Sequence, residues 1–447
     1  MPPLEHLNIL RYGHVYDGGG GMEQYLSDLN RALLARGRFH LTQVQLTSNQ
    51  DRVGRHEEQE GQLPYTRISL FVDQESHEQA IAGSPGTWDR FQGVKDWIRD
   101  RILFSPAIYE STLGERLLMR RSVPKRAGEP SGAGEAVRAS HRQNPLDLIC
   151  LHSAGGADAS EILDVAEAEG IPVAYIHHFS NDRLSGLSMR QQLARCRGVA
   201  GVCGTDVPNY LRNRFLVVAD GIDTHFYRRE FARPLSRIFS DPLIFLPARI
   251  TPAKGQEELI EAAGVLHREG LSFQLALAGR SDDAAYFHRL QELVNQLGLA
   301  RRVHFIGQLR GEELRDWYAA ASILAFPTRH HEGLPRVLLE AQSMEVPPVV
   351  YDVGGTAEGI KDSESGFLVK FADRQEMISR LRQLLTDHPL RTRMGAAGRA
   401  FVENRFSLSM LAERHEDFYR RCIASYKTAR NTRPIGTRSL PCPASTL

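Results

Sequence analysis

Two separate series of short apolar runs, alternating with amphipathic helical segments, constrain the fold of this 447-residue chain more than any other feature. The first series includes "LNILRYG", "LTQVQLTS", "LDLICLH" and "IPVAYIHH", and the second begins near residue 242 with "PLIFLPARI". Such runs are typical of strands buried on both faces, and helical crossovers between them make the strands parallel. The pattern therefore predicts an α/β protein with two Rossmann-like, doubly wound domains that face each other across a cleft.

The predicted domain boundaries follow these two series. The first domain spans residues 1–225 and contains an insertion near 75–145, and the second spans residues 226–429. We expect the last helix of the second domain to pack back on the first. Within the insertion, residues 122–145 are rich in Gly, Pro and Arg, which predicts a mobile loop. Residues 430–447 are predicted to be a disordered tail.

Composition argues against several classes of protein. The formal net charge of +1 gives no indication of a nucleic-acid partner. No apolar run reaches the roughly 18 residues that would cross a bilayer, and the N-terminal segment lacks the features of a signal peptide. The five cysteines are scattered and form no CxxC pair. These features together predict a cytoplasmic protein without structural zinc.

A run of four glycines, Gly18–Gly21, lies between the first strand and the first helix. A dinucleotide-binding loop would need a third glycine at the position of Glu23 and an acidic residue at the end of the second strand, which reads "LTSNQ". A P-loop would need Gly-Lys-Ser or Gly-Lys-Thr, where this chain has Gly-Met-Glu. A permissive turn and close approach of a ligand to the backbone both remain open. We favour the ligand, because four glycines carry an entropic cost that a turn alone does not need.

The second half contains the densest group of candidate functional residues. Arg249 follows a predicted strand, and Lys254 lies where the next helix begins. A cation at a helix N-terminus opposes the helix dipole, which indicates a bound anion, although a structural salt bridge is the alternative. In "HHEGLPRVLLEA", the Gly-Leu-Pro segment begins another helix whose free amides suit a phosphate. Glu332 precedes this helix and Glu340 lies within it, about 7.5 Å along its axis from the first turn, which suits the hydroxyls of a sugar and a ribose.

The Glu-x7-Glu spacing, with glycine after the first glutamate, resembles that of the retaining GT-B glycosyltransferases, a large family that uses nucleotide sugars. The resemblance extends over most of the chain outside the insertion. It includes the glycine loop, "DLICLH", "ADGIDTHFY", "ARITPAKG", "FIGQLRGEELRDWYAAASILAFPT" and "VGGTAEGIKDSESGFLV".

This resemblance implies a role for each candidate residue. Arg249 and Lys254 would neutralise the departing diphosphate, and Glu340 would bind the ribose. Glu332 and His152 would contact the donor sugar near the reaction centre. The remaining donor-binding positions implied by the resemblance are glycine-loop and helix-terminal residues: Gly19, Gly20, Gly333 and Leu334. For His152, a buried structural histidine is the alternative. His177 and His178 also end a strand and are candidates for the acceptor side.

The implied activity is metal-independent transfer of a hexose, with retention, from a UDP- or GDP-linked sugar to an acceptor hydroxyl of a glycan, lipid or small molecule. No cofactor and no metal are expected. A nucleotide-sugar epimerase of the same fold and a non-catalytic nucleotide-sugar-binding protein are the alternatives. A dehydrogenase is disfavoured by the failed dinucleotide test.

Residues 116–142 are a candidate for peripheral membrane contact at the inner face of a membrane. This range contains four basic side chains beside apolar ones: Arg120, Arg121, Lys125 and Arg126. A basic amphipathic segment is attracted to anionic lipid. A solvated loop is the alternative.

Overall fold

The computed structural model describes residues 6–13, 21–47, 54–60, 63–71, 132–154, 156–233, 235, 240–281 and 283–431. In this part of the chain, two sheets are each covered by helices. The strands of the first sheet are β1 Leu7–Gly13, β2 Phe39–Thr47, β3 Gly54–Glu60, β4 Leu63–Phe71, β5 Leu148–His152, β6 Val173–His177, β7 Gly198–Gly201 and β8 Phe215–Val217. Those of the second are β9 Leu243–Pro247, β10 Gln274–Ala278, β11 Val303–Gly307, β12 Ile323–Phe326, β13 Pro348–Tyr351 and β14 Phe367–Val369.

The helices alternate with the strands in both halves. They are α1 Gly21–Leu34, α2 Ala133–Gln143, α3 Gly156–Glu169, α4 Leu187–Arg195, α5 Gln256–Arg268, α6 Ala284–Gln296, α7 Gly311–Ala320, α8 Arg336–Ser343, α9 Arg374–Thr386, α10 His388–Arg405 and α11 Leu408–Asn431. β1, β5 and β6 are buried along their whole lengths, which explains their continuous apolar sequences.

Both sheets reverse their strand order at the centre. The first has the order β3-β4-β2-β1-β5-β6-β7-β8, and the second β11-β10-β9-β12-β13-β14. All pairings are parallel except that between β3 and β4. The order reverses between β1 and β5 in one sheet and between β9 and β12 in the other, and ligands of such sheets bind at these points. The predicted fold class is confirmed.

The end of the predicted insertion differs from expectation. Residues 133–143, predicted to be part of a mobile loop, form α2 instead. The small residues Ala133, Gly134 and Ala136 are buried, and the Gly134 amide donates to Glu161 Oε1 of α3 at 3.1 Å. Small side chains allow the two helices to approach closely. The same small residues give the segment the composition of a loop, which is why the sequence did not predict a helix here.

Several predictions lie outside the described residues. They concern Gly19 and Gly20, the four basic side chains at 120–126, and the tail beyond residue 431. Of the range 116–142, only residues 132–142 are described. No helix among the described residues is long and apolar enough to cross a membrane.

The C-terminal helix α11 packs on the first domain. Tyr25 of α1 hydrogen-bonds to His415 at 2.6 Å, and Glu416 accepts from Arg36 at 2.6 Å and from Arg38 at 2.5 Å. Phe418 and Cys422 lie so close to Gly198 of β7 that a Cβ there would be 2.3 Å from the Cys422 sulfur. α11 thus connects the end of the second half to the first sheet.

Candidate functional site

The carboxyl ends of β9 and β12 position Arg249 and Lys254. A short 3-10 turn, Pro252–Lys254, follows β9, and the Ala253 carbonyl accepts from the Arg329 amide at 2.8 Å in the segment after β12. Gly255 then adopts the left-handed conformation, with φ of 75°, and a Cβ there would lie 2.1 Å from the Pro327 carbonyl oxygen. Glycine is therefore required at this turn, and the turn places Lys254 beside the β12 end.

Lys254 and Glu332 form an ion pair at this edge. Lys254 Nζ contacts Glu332 Oε1, and both side chains are largely buried, with 16% and 17% exposure. Thr328, fully buried, donates to the same carboxylate oxygen at 3.3 Å. Arg249 is exposed and forms no ion pair with another described residue. Arg249, Lys254 and Glu332, which were predicted to act on one donor, therefore lie at the same edge of the second sheet.

The segment before α8 connects this edge to the first domain. A Cβ at Gly333 would lie 2.7 Å from the His178 carbonyl oxygen, so only glycine allows the two backbones to come this close. Leu334 is buried. The amides of Gly333 and Leu334 donate to no acceptor within the described chain. Free amides before a helix are suited to bind an anion.

His152 and His178, both of the first domain, form a pair beside this contact. His152 Nδ1 lies 2.9 Å from His178 Nε2, and the rings stack with centroids 5.2 Å apart. Tyr25 packs edge-on against His178 at 4.4 Å. Burial, then the positive field of His178 and of the fully buried Arg11, lowers the pKa of His152 well below 6.5. His152 is therefore neutral near neutral pH, and its buried Nε2 makes no hydrogen bond within the described chain.

Glu340 lies within a buried polar cluster between the domains. Its Oε2 accepts from the Tyr318 hydroxyl at 2.8 Å, and its Oε1 lies 3.8 Å from Arg336 Nε. Burial raises the pKa of Glu340, and the positive charge of Arg336 opposes that increase. Arg336 also contacts Asp28 of α1 at 2.6 Å and Asp220 at 2.8 Å. The carboxylate predicted to bind a ribose is thus held by Tyr318 and Arg336 of the second half, and Arg336 in turn contacts Asp28 of the first.

Arg336, Asp28 and Tyr25 also belong to this site and were not predicted from the sequence. Arg336 is the first residue of α8, where a cation opposes the helix dipole, as for Lys254, and this position indicates an anionic partner. No comparable signal marks Asp28, because its partner lies 308 positions away. Among the described residues, no group of three or more His, Cys, Asp and Glu side chains could hold a metal ion.

The second half matches a known family. Residues 228–401 match the model described as "Glycosyl transferases group 1". A GDP-mannose-dependent alpha-(1-6)-phosphatidylinositol monomannoside mannosyltransferase of Mycobacterium tuberculosis is 29% identical over 242 residues, which are 48% of this chain and 62% of that protein. A monoacylated-substrate counterpart from Corynebacterium glutamicum is 34% identical over 179 residues, covering 39% and 45% of the two chains. This chain therefore spans about half the length of the curated relatives it matches here.

This chain shares its fold with solved structures. Sucrose-phosphate synthase from Thermosynechococcus elongatus superposes with a TM-score of 0.66 over 94% of this chain and 100% of that chain, at 19% identity. The similarity covers both domains, and the fold is GT-B.

Proposed function

Because residues 228–401 match the model of group 1 glycosyltransferases, we propose that the protein transfers a hexose from a nucleotide-diphosphate sugar to an acceptor hydroxyl. The observation that carries this proposal is the Lys254–Glu332 ion pair beside Arg249, at the point where the second sheet reverses its strand order. The mannosyltransferase relatives are GDP-mannose-dependent by name. GDP-linked and UDP-linked sugars are therefore the first donors to test.

The donor diphosphate binds between the two cations and the start of α8. Arg249 is exposed and Lys254 is held by Glu332, so a ligand phosphate can contact both without disrupting the fold. The amides of Gly333 and Leu334 supply neutral donors to the distal phosphate. Glu340 binds the ribose and Glu332 the donor sugar. Preorganised positive charge lowers the barrier by stabilising the negative charge that develops on the leaving phosphate.

The reaction itself breaks the bond between the anomeric carbon and the phosphate oxygen, and the electron pair goes to that oxygen. The acceptor hydroxyl oxygen forms the new bond to the anomeric carbon, and its proton passes to the leaving phosphate oxygen. Because departure and attack occur on the same face, the configuration is retained. We assign neutral His152, on the first-domain side, to the donor sugar, because its buried Nε2 makes no hydrogen bond within the described chain.

Transfer requires no metal in this proposal, because Arg249, Lys254 and the α8 amides neutralise the diphosphate. Two measurements test these finer statements. We expect turnover to persist in excess EDTA and the product to have the donor's anomeric configuration by NMR. Loss of activity in EDTA that Mg²⁺ restores, or an inverted product, contradicts them.

Donor hydrolysis tests the proposed activity without knowledge of the acceptor. Wild-type protein is incubated with UDP-, GDP- and ADP-sugars, and release of the nucleoside diphosphate is measured. We expect slow release from at least one of them, with free hexose as the second product. An epimerase would return a changed nucleotide sugar with no released diphosphate, and absence of release from every donor would contradict the proposal.

A further inference from the structure

The C-terminal helix α11 supplies a buried histidine that fixes the hydroxyl of Tyr25. Tyr25 and His415 are 1% and 0% exposed, and the Tyr25 hydroxyl lies 2.6 Å from His415 Nε2. His415 Nδ1 lies 2.8 Å from the Leu411 carbonyl oxygen. A carbonyl oxygen only accepts, so Nδ1 carries the proton of the neutral ring and Nε2 accepts from the Tyr25 hydroxyl. Burial lowers the pKa of His415 from 6.5 to about 3, so this arrangement persists near neutral pH.

The Tyr25 ring, held in this way, packs against both members of the histidine pair. Its centroid lies 4.4 Å from that of His178 and 6.2 Å from that of His152, and both contacts are edge-to-face. Aromatic contacts of this kind prefer a particular geometry, so they restrict the rotation of the rings that they join. Tyr25 therefore orients His178, whose Nε2 lies 2.9 Å from Nδ1 of His152.

The backbone of the pair is fixed separately from its rings. Ser153, directly after His152, adopts the left-handed conformation with φ of 46°, and its hydroxyl accepts from the His178 amide at 2.8 Å. The Ser153 amide donates to the Ile176 carbonyl at 2.8 Å. A residue other than glycine is strained in this conformation, and such strain concentrates at functional sites. Ser153 thus holds the two strand ends together, and Tyr25 adds the orientation of the rings.

We propose that Tyr25 and His415 are positioning residues for His152: His415 fixes the hydroxyl of Tyr25, and the Tyr25 ring holds the His178–His152 pair in the orientation that serves the donor sugar. This inference rests on the proposed function, which assigns His152 to that sugar. Both residues act through His178 and contact no substrate themselves. They extend the candidate site to α1 and α11, two helices that lie outside the matched residues 228–401.

Three single variants remove or restore the hydrogen bond between Tyr25 and His415. Tyr25→Phe keeps the ring and removes the donor, and His415→Phe removes the acceptor. We expect each to slow donor hydrolysis by roughly tenfold, because a loosened ring misplaces the histidine pair. The double variant should be no slower than either single one, since both remove the same interaction. His415→Gln supplies an acceptor again and should restore the rate to within about threefold of wild type.

Tyr419→Phe is the matched control. Tyr419 is a second fully buried tyrosine, on α11, and its ring centroid lies 6.0 Å from that of His415. Among the described ring contacts, it meets His415 and Phe418 but neither member of the histidine pair. Removing its hydroxyl changes the same buried region without releasing Tyr25, so we expect a rate within about twofold of wild type.

Two further measurements distinguish positioning from a general loss of structure. The affinity for free UDP or GDP should change by less than about twofold in every variant, because the residues assigned to the diphosphate belong to the second domain. In histidine-labelled protein, the resonances of His152 and His178 should both shift in Tyr25→Phe and in His415→Phe. They should return toward their wild-type positions in His415→Gln.

Wild-type rates in Tyr25→Phe and His415→Phe would overturn the inference, as would an equal loss of rate in Tyr419→Phe. A loss of rate that follows a loss of nucleotide affinity would overturn it too. If wild type releases no nucleoside diphosphate from any donor, the proposed function fails, whereas the histidine resonances still report whether Tyr25 holds the pair. Resonances that do not move in either Phe variant contradict the inference whatever the rates are.

Discussion

Arg336 of the second domain and Asp28 of the first form a buried ion pair, with 2.6 Å between Nη2 and Oδ2 and side chains 9% and 2% exposed. The same guanidinium donates to Asp220 Oδ1 at 2.8 Å and to the Gly221 carbonyl at 3.1 Å. One side chain therefore connects α1, the segment before residue 225 and α8. This cluster fixes the position of the first domain relative to the second at the candidate site.

Replacing Arg336 by Met should destabilise the protein strongly, by about 3 kcal/mol or more, because it leaves buried carboxylates without a counter-charge. The free energy of unfolding in urea measures the effect. Arg382→Met is the control, because Arg382 makes a bidentate pair with Glu269, at 2.7 and 2.6 Å, on the exposed surface. We expect little change there. Equal destabilisation by the two variants would contradict the assignment.

Asp220 should make stability depend on pH. Burial raises its pKa from 3.8 to about 6, against the opposing effect of Arg336. The folded state therefore binds more protons than the unfolded state between these two values, so this contribution is fully present below 3.8 and is lost as pH rises through about 6. Asp220→Asn removes the titration. The melting temperature of wild type relative to this variant should fall across that window, and parallel curves would show the prediction to be wrong.

Gly333→Ala should impair turnover by forcing the domains apart. The added Cβ would meet the His178 carbonyl oxygen at 2.7 Å and Val202 Cγ2 at 2.9 Å. We expect donor hydrolysis to slow by roughly tenfold to a hundredfold, since misplacement of this size disrupts reactive geometry. Gly186→Ala provides the comparison, because a Cβ there meets nothing within 4 Å. A Gly333→Ala enzyme with the wild-type rate would refute the close approach.

His152 should stay neutral through the working pH range. Burial, with the charges of His178, Arg11 and His415, lowers its pKa. In histidine-labelled protein, its carbon resonance, assigned by its loss in His152→Gln, should not titrate above about pH 6. The stability linked to this residue is lost only as pH falls below 6.5, where the unfolded imidazole binds a proton. A midpoint near 6.5 in the folded protein would contradict this prediction.

The sequence predicted the two sheets because strands buried on both faces remain apolar throughout their length. It missed β3, whose sequence "GRHEEQE" at the edge of the first sheet contains no apolar residue, and it identified no strand at β4, β7 or β8. It also missed α2, where buried Ala and Gly residues have the composition of a loop. Edge strands and helices packed through small residues lack the periodic apolar signal on which such predictions depend.

Candidate site residues at strand ends were predictable because the buried strands before them are apolar throughout their length. Arg249, Lys254 and Glu332 follow buried strands of one parallel sheet, so topology alone brings them to one edge. The contacts of Arg336 with Asp28 depend instead on how the two domains meet. That relationship joins residues hundreds of positions apart, and no local pattern encodes it.

The central claim, that Lys254 acts on a nucleotide-sugar donor, is tested most directly by donor hydrolysis in Lys254→Ala. Lys361→Ala is the control, because Lys361 also pairs with a glutamate, Glu364 at 3.6 Å, but is 54% exposed on the surface of the same domain. Circular dichroism establishes that both variants are folded. We predict that Lys254→Ala releases the nucleoside diphosphate at least about a hundredfold more slowly than wild type, whereas Lys361→Ala matches wild type. A folded Lys254→Ala protein with wild-type release would contradict the account.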